Sequence, residues 1–524
     1  MKDILKNKNT IYIVIAAVVL LLIFLGYSIL NRGNNMFGKK VKINLSTINT
    51  EKSLTKYSQN DFEAFKKAYD EGKLPKVYVT NFLFDGVGMY KPYDLEDYIE
   101  RGNNTEVKPV EITVININTS GEVELTGEIK GAMIAVNTNN LKKDVKLVLN
   151  NAKIDTDSKK VPAVYAYNKD MTYTGAKVII ETLEGTKNYL EGGKLQKVSL
   201  LASDELNNFK DKYSNDSASY YEAYTKYYGV YNKSETEKIL FAKVTADKEG
   251  LESGDPYYYY KASGTVSSDI DLYFEGNGYL EVTSKNKEGI ESKANLEFAG
   301  GIGDYYIMSR DDGLNTTTSK DENANARNTL TINVKSLTAI VSNEAREGDA
   351  IDSNGELHIN GGRIVAIART GSDSGVDSET GTYINGGTLL ATGDKAENLS
   401  DKSKQNYVVL SFNLYPSDNS LITLINSDDK AIMSYRSDRI YSKLVYSSPE
   451  LKDGKYTLYS DGYTEGELDH GLYYDISYHS KVIQLGYTTV ASKDDKATNK
   501  SLNTESTISG ASNIFNGIGE YKTV

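Results

Sequence analysis

An all-β stack of short strands is the fold this 524-residue chain predicts, and three observations predict it. A phrase of one small residue, one branched apolar residue and two polar residues recurs as Gly289-Ile290-Glu291-Ser292, Gly313-Leu314-Asn315-Thr316, Ala350-Ile351-Asp352-Ser353 and Gly375-Val376-Asp377-Ser378. Strand-like runs ending in a Gly pair recur beside it, Leu296 to Gly301, Leu357 to Gly362 and Thr382 to Gly387. The third observation is composition: 43 Gly and 41 Tyr against 7 Pro and no Trp suit many strands joined by turns.

The phrase begins at 289, 313, 350 and 375, spacings of 24, 37 and 25 residues. A fixed period of this size implies stacked units, a solenoid in which each unit covers its neighbour. The polar run Thr316 to Asn328 reads as a loop inserted into the long interval. Leu357-His358-Ile359-Asn360 and Arg363-Ile364-Val365-Ala366-Ile367 read as alternating strands with one buried face. Ile351 and Val376 then stack inside, with Gly361-Gly362 above Gly386-Gly387 at corners that need positive φ or close backbone approach. An antiparallel sandwich with Gly-rich turns is the alternative.

In chain order, residues 1–10 read as a cytoplasmic N-terminus and 11–30 as a transmembrane anchor. Ile11 to Leu30 carries no charge over twenty residues, which as a helix spans about 30 Å. It is longer than a usual signal-peptide core, and Tyr27-Ser28-Ile29-Leu30-Asn31 offers no small-x-small cleavage site. Lysines at 2, 6 and 8 face Arg32, Lys39, Lys40 and Lys42, so the charge rule does not orient it. Residues 31–105 form a stalk or cap, with a short helix from Asn60 or Asp61 through Phe62, Phe65, Ala68 and Tyr69 to Gly72. Residues 106–194 make the first part of the stack, 195–262 a Tyr-rich insertion, 263–400 the main repeats, 401–490 a C-terminal β segment and 491–524 a flexible tail rich in Ser, Thr, Asn and Lys.

Three kinds of side chain are candidates for a site. Asp311, Asp312, Asp349, Asp352, Asp373 and Asp377 flank the repeated phrase, so adjacent units place carboxylates about 5 Å apart. Such anions repel, and a hard divalent cation relieves them; calcium tolerates irregular oxygen geometry better than magnesium. Solvated turn residues are the plainer reading. Arg310, Arg327, Arg346, Arg363 and Arg369 offer guanidinium forks to an acidic sugar, although strand positions 363 and 369 also suit an outward face. Within the insertion, Tyr220, Tyr224, Tyr227 and Tyr231 fall on one side of a helix whose capping box is Ser219 and Glu222. Their rings suit sugar stacking, or packing of the helix on its own domain.

The segments Val145 to Ile154, Val178 to Glu181 and Asn188 to Leu190, the later repeats, and Ser448 to Tyr459 together resemble the bacterial carbohydrate-binding β-helix family. The resemblance covers about residues 106–194 and 263–490, and departs at the insertion, the loop after Thr316 and the stalk. It implies a right-handed parallel β-helix, similar to polysaccharide lyases, that binds polysaccharide and calcium without established cleavage. By analogy with such surface proteins, the large domain is placed outside a cell membrane crossed once.

Composition narrows the chemistry. No Cys excludes disulfides, thiolate metal sites and cysteine nucleophiles. A net charge of −12 repels acidic polysaccharide unless calcium or a basic face bridges it, and no nucleic-acid partner is expected. The three His, at 358, 470 and 479, are scattered, and no zinc motif, nucleophile elbow or phosphate loop occurs. No catalytic residue is assigned, Asp311-Asp312 being the best candidate pair. The expected function is binding of an acidic or cellulosic polysaccharide with bound calcium. A polysaccharide lyase or glycoside hydrolase on the same scaffold, and a structural or adhesive surface protein, are the alternatives.

Overall fold

A computed structural model of the protein describes residues 113–194 and 264–490 apart from short stretches at 140, 159, 169–173, 318–327, 372, 413–415, 417–418 and 480–482. Outside that body it describes 40–48, 50, 71, 73, 76–80, 262 and 506–507. The expected anchor at 11–30, the cap helix at 60–72 apart from Glu71, the tyrosines 220–231 and nearly all of the tail lie outside the described residues.

Three sheets hold the described strands, with sixteen, eight and six members. From Thr113–Ile117 to Glu356–Ile367 the chain passes back and forth between the first two. The eight-stranded sheet runs Ile351–Ser353, Leu314–Thr316, Ile290–Ser292, Val266–Ser268, Val164–Tyr167, Ala132–Asn137 and Thr113–Ile117, all parallel, with antiparallel Val77–Thr80 at its edge. The repeated phrase supplies its last strands: Ile290, Leu314 and Ile351 are successive register partners, and Ile351 makes an isolated parallel bridge to Val376. All four are buried, which explains the apolar second residue. The small first residue has a separate cause. A Cβ on Gly313 would lie 2.4 Å from the Ala350 carbonyl oxygen, nearer than real Cβ atoms come to backbone.

The sixteen-stranded sheet faces it across the main core. Phe274 and Phe298, register partners on adjacent strands, stack at 4.7 Å, and Tyr305 meets Phe298 edge-on at 5.0 Å. Emptying this layer is expensive: Phe298→Ala should cost about 3–5 kcal/mol. At the second Gly pair, Gly387 has φ +85°, and a Cβ there would lie 2.5 Å from the Gly362 carbonyl oxygen.

The expected right-handed parallel β-helix, one solenoid behind a transmembrane helix, is corrected here. The described chain is an all-β assembly of three sheets, and its parallel part includes a separate eight-stranded sheet. After Thr388–Gly393 the pairing turns antiparallel, through Lys443–Ser447 and Tyr407–Ser411. Leu421–Asn426, Ala431–Arg436, Gly454–Ser460, Tyr463–Asp469, Leu472–His479 and Ile483–Val490 then form the antiparallel six-stranded sheet. Its apolar residues pack on Val365, Ile367 and Leu390 of the sixteen-stranded sheet in a second core that includes Ile422, Leu424, Met433 and Leu458. The physical reason lies in Arg363 to Ile367: it does not alternate but is apolar on both faces from Ile364 onward, so it needs a layer on each side. Thr316 also departs from expectation, since it closes a strand, fully buried, and bonds the Asn328 carbonyl at 3.2 Å.

Among the described residues no α-helix occurs, only a 3-10 turn at Leu45–Thr47, and no helix is long and apolar enough to cross a membrane. The single-pass cell-membrane localisation, and the membrane as partner through an N-terminal helix, are corrected to what the described residues support, which include no membrane-spanning helix; residues 11–30 lie outside them. A twenty-residue apolar run fixes a length, not a span, and the outward placement of the domain rested on analogy to the solenoid.

Candidate functional site

The repeated phrase lays its polar residues on adjacent rungs at one edge of the eight-stranded sheet. Glu291, Asn315 and Asp352 are successive register partners, one position beyond the buried apolar column. Alternation along a strand sends them to the opposite face from Ile290, Leu314 and Ile351. A second acidic column precedes the strands. Glu288, Asp312 and Asp349 each sit before the small residue, and the rungs are tied by N–H of Gly289 to the Asp312 carbonyl and N–H of Gly313 to the Asp349 carbonyl, both 2.9 Å. Side chains reinforce the ladder: Asp312 Oδ1 accepts the Asp349 N–H at 2.9 Å, and Asp349 Oδ1 accepts the Ser374 N–H at 2.5 Å.

Where the columns meet, oxygens of Asp349, Asp352 and Asp377 lie within 4.8 Å of one another, all three half-buried. The donor set is hard oxygen only, which suits a hard divalent cation such as calcium. Asn315, in register with Asp352, carries an Oδ1 that is buried without a hydrogen-bond partner, while its amide donates to Asp312 Oδ2.

Electrostatics agree with the crowding. Burial pushes the Asp352 carboxyl up to about 7, with Asp349 and Asp377 adding repulsion. Burial also raises Asp349 to about 6; the Ser374 N–H opposes it, Asp377 and Asp373 add to it, and Lys395 pulls back weakly. Asp312 is held well above the carboxylate range by burial, then by Asp352, Asp311 and Glu288. Glu288, buried beside Glu291 and Asp311, rises to about 8.

The predicted acids therefore divide. Asp349, Asp352 and Asp377 come together, and Asp312 joins them through the backbone of Asp349. Asp311 turns away to an ion pair with Lys287. Asp373 stays outside the group of three, its carbonyl accepting the Asp394 N–H at 2.8 Å. The arginines do not converge. Arg310 pairs with Glu344, Arg346 is exposed, and Arg369 is half-buried beside Gly371. Arg363 donates to Glu467 Oε1 at 3.0 Å and lies 4.2 Å over the Tyr474 ring, fastening the six-stranded sheet. Arg327, Tyr224 and Tyr227 lie outside the described residues.

Sequence reasoning passed over Glu288, Glu291 and Asn315. The signal was present, since Glu288-Gly289-Ile290-Glu291 puts acids at the same offsets from the apolar residue as Asp349-Ala350-Ile351-Asp352.

Among curated proteins none matches this chain. Among solved structures it is similar to the polysaccharide lyase-like protein from C. thermocellum, as a gadolinium derivative, with 18% identity over 55% of this chain and 90% of that one. At a TM-score of 0.29 that likeness defines no common geometry. The family model is more telling, because it matches residues 111–209 and 232–513 and so runs through both parallel sheets and the six-stranded one. By that match the chain belongs to the carbohydrate-binding domain-containing protein family.

Proposed function

We propose that the chain binds polysaccharide, with calcium held by Asp349, Asp352 and Asp377. The observation that carries the calcium is the convergence of three carboxylates within 4.8 Å, burdened by burial and by one another. A divalent ion replaces their protons and removes the repulsion, so binding should release protons and tighten as pH rises. The Asn315 amide oxygen supports an ion near the same rung. The polysaccharide follows from family membership, and a bound ion at the sheet edge would offer an acidic sugar a cationic contact on a chain of net charge −12.

Calorimetric titration of metal-free protein with calcium, then with oligogalacturonate in calcium or in chelator, tests both parts. The reading expects heat of calcium binding that Asp352→Asn abolishes, and uronate binding that chelator removes. Calcium heats unchanged in Asp352→Asn would place the ion elsewhere. Growth of absorbance from unsaturated sugar ends during the same incubation would favour the lyase alternative.

A further inference from the structure

The outward face of the sixteen-stranded sheet changes character along its length. One column of register partners reads Tyr189, Glu281, Tyr306, Thr338, Val365, Leu390. Val365 and Leu390 are aliphatic and fully buried under the six-stranded sheet. That cover ends at Thr338, whose hydroxyl meets His470 Nδ1 at 3.3 Å. Beyond it Tyr306, Glu281 and Tyr189 are only half-buried. Residues chosen for packing alone would be aliphatic and covered, as they are three rungs further on.

The rings here are arranged. Tyr306 stacks on His470 at 5.0 Å and 26°, and Tyr189 meets Tyr279 at 6.3 Å and 65°. Tyr279 donates its hydroxyl to Glu281 Oε2 at 3.1 Å. No other hydrogen bond to Glu281 is found among the described residues. Burial, then Glu281, raises the Tyr279 phenol well above its ordinary value, so it stays a neutral donor. Tyr189 and Tyr306 stand two rungs apart, about 10 Å at strand spacing, which is the span of two linked pyranose rings. Aromatic faces take the C–H faces of such rings, and a carboxylate between them takes hydroxyl donors.

Charge selects among sugars. Beside this face, Arg363 is engaged by Glu467 and Tyr474, and Arg439 by Asp438 and the Val341 carbonyl. His470 is bonded to Asp469 at 2.6 Å, and Lys335 to Asp304 at 2.7 Å. Lys153, in register with Tyr189, pairs with Glu128, Lys285 pairs with Glu191, and Lys187, in register with Tyr279, is exposed at the rim. Glu281 thus faces the rings without a cation of its own, and a uronate chain would meet like charge.

We propose that Tyr189, Tyr279 and Tyr306, with Glu281 between them and His470 at one end, form a stacking subsite for a neutral pyranose chain, separate from the acidic edge of the eight-stranded sheet. This rests on the carbohydrate-binding reading above. Titration of the full chain with a β-1,4-linked glucose hexamer, in calcium and in chelator, tests it against Tyr279→Ala and Tyr306→Ala. The expected result is a hexamer affinity reduced about tenfold in each variant and unaffected by chelator. Where an alanine variant loses its melting transition, Tyr306→Leu keeps the apolar bulk without the flat face and should show the same loss. Wild-type affinity in folded variants, or tighter binding of oligogalacturonate than of the glucose hexamer in chelator, overturns the subsite and leaves the calcium-bridged reading standing. Failure of the wild-type chain to bind either sugar overturns both.

Discussion

Two groups of carboxylates on parallel rungs of this protein meet opposite fates. Glu124 on Gly121–Lys130 is buried, yet the Asn150 amide, with Lys40 and Lys42 behind it, holds its carboxyl down at about 2 despite burial. Asn150 Nδ2 reaches it at 2.8 Å and Lys40 Nζ at 3.0 Å. Asp349, Asp352 and Asp377 are less buried but face one another, and the cation pulling on Asp349 is Lys395, the weakest of the influences on it. The first group is neutralised from within the chain and is structural. The second leaves a charge problem that protons or a ligand would solve, and that contrast is the basis of the proposed calcium site.

The largest effect expected of that contrast is with metal. Calcium at a hundredfold excess over its dissociation constant should stabilise the wild-type chain by about 2.7 kcal/mol, read as a rise in melting temperature that chelator reverses. Asp352→Ala should abolish the rise, and Glu124→Ala should leave it intact. A rise retained in Asp352→Ala would erase the distinction between the two groups.

Next in size, Glu124→Ala should cost about 1–3 kcal/mol at neutral pH in calcium and in chelator alike, because it strands buried hydrogen-bonding partners. Denaturant melts at fixed pH read this directly. Dependence of that cost on calcium would mean that Glu124 also serves the ion.

The pH dependence sharpens the comparison by its sign. Folded values for Asp349 and Asp352, about 6 and 7, lie above their ordinary value, so ionising them opposes folding. Metal-free protein should therefore lose stability as pH rises from about 4 through 7, and Asp352→Asn should flatten the loss. Glu124 acts in reverse: its contribution is whole above its ordinary value and is lost as pH falls toward 2. A metal-free melting temperature that climbs between pH 5 and 8 would contradict the raised carboxyls.

The smallest effect separates neighbours. Asp311→Asn should leave calcium heats within error, since Asp311 faces Lys287, while Asp312→Asn should weaken them severalfold through the backbone of Asp349. Equal losses from both would show that the ladder does not transmit position.

How far this was legible in the sequence depends on the residue. The column Ile290, Leu314, Ile351 and Val376 could be read from spacing, because a strand with one buried face must repeat an apolar residue and the close backbone must repeat a small one. The six-stranded sheet could not be read from the period, as its antiparallel strands have none. Its trace was the unbroken apolar run from Ile364 to Ile367, which the pattern of one buried face wrongly absorbed.

The chain by itself determined that the described body is all-β, that its apolar phrase residues lie rung beside rung, and that acids flank them, since alternation and glycine geometry are local properties. Only the tertiary structure decided which acids meet. Asp311 and Asp312 are adjacent in sequence but point to different partners, and Asp349, Asp352 and Asp377 share one space because the rungs of Ile351 and Gly375 to Asp377 are hydrogen-bonded side by side. Side-chain direction and the layer that covers a sheet arise from packing between distant segments, which no short spacing encodes.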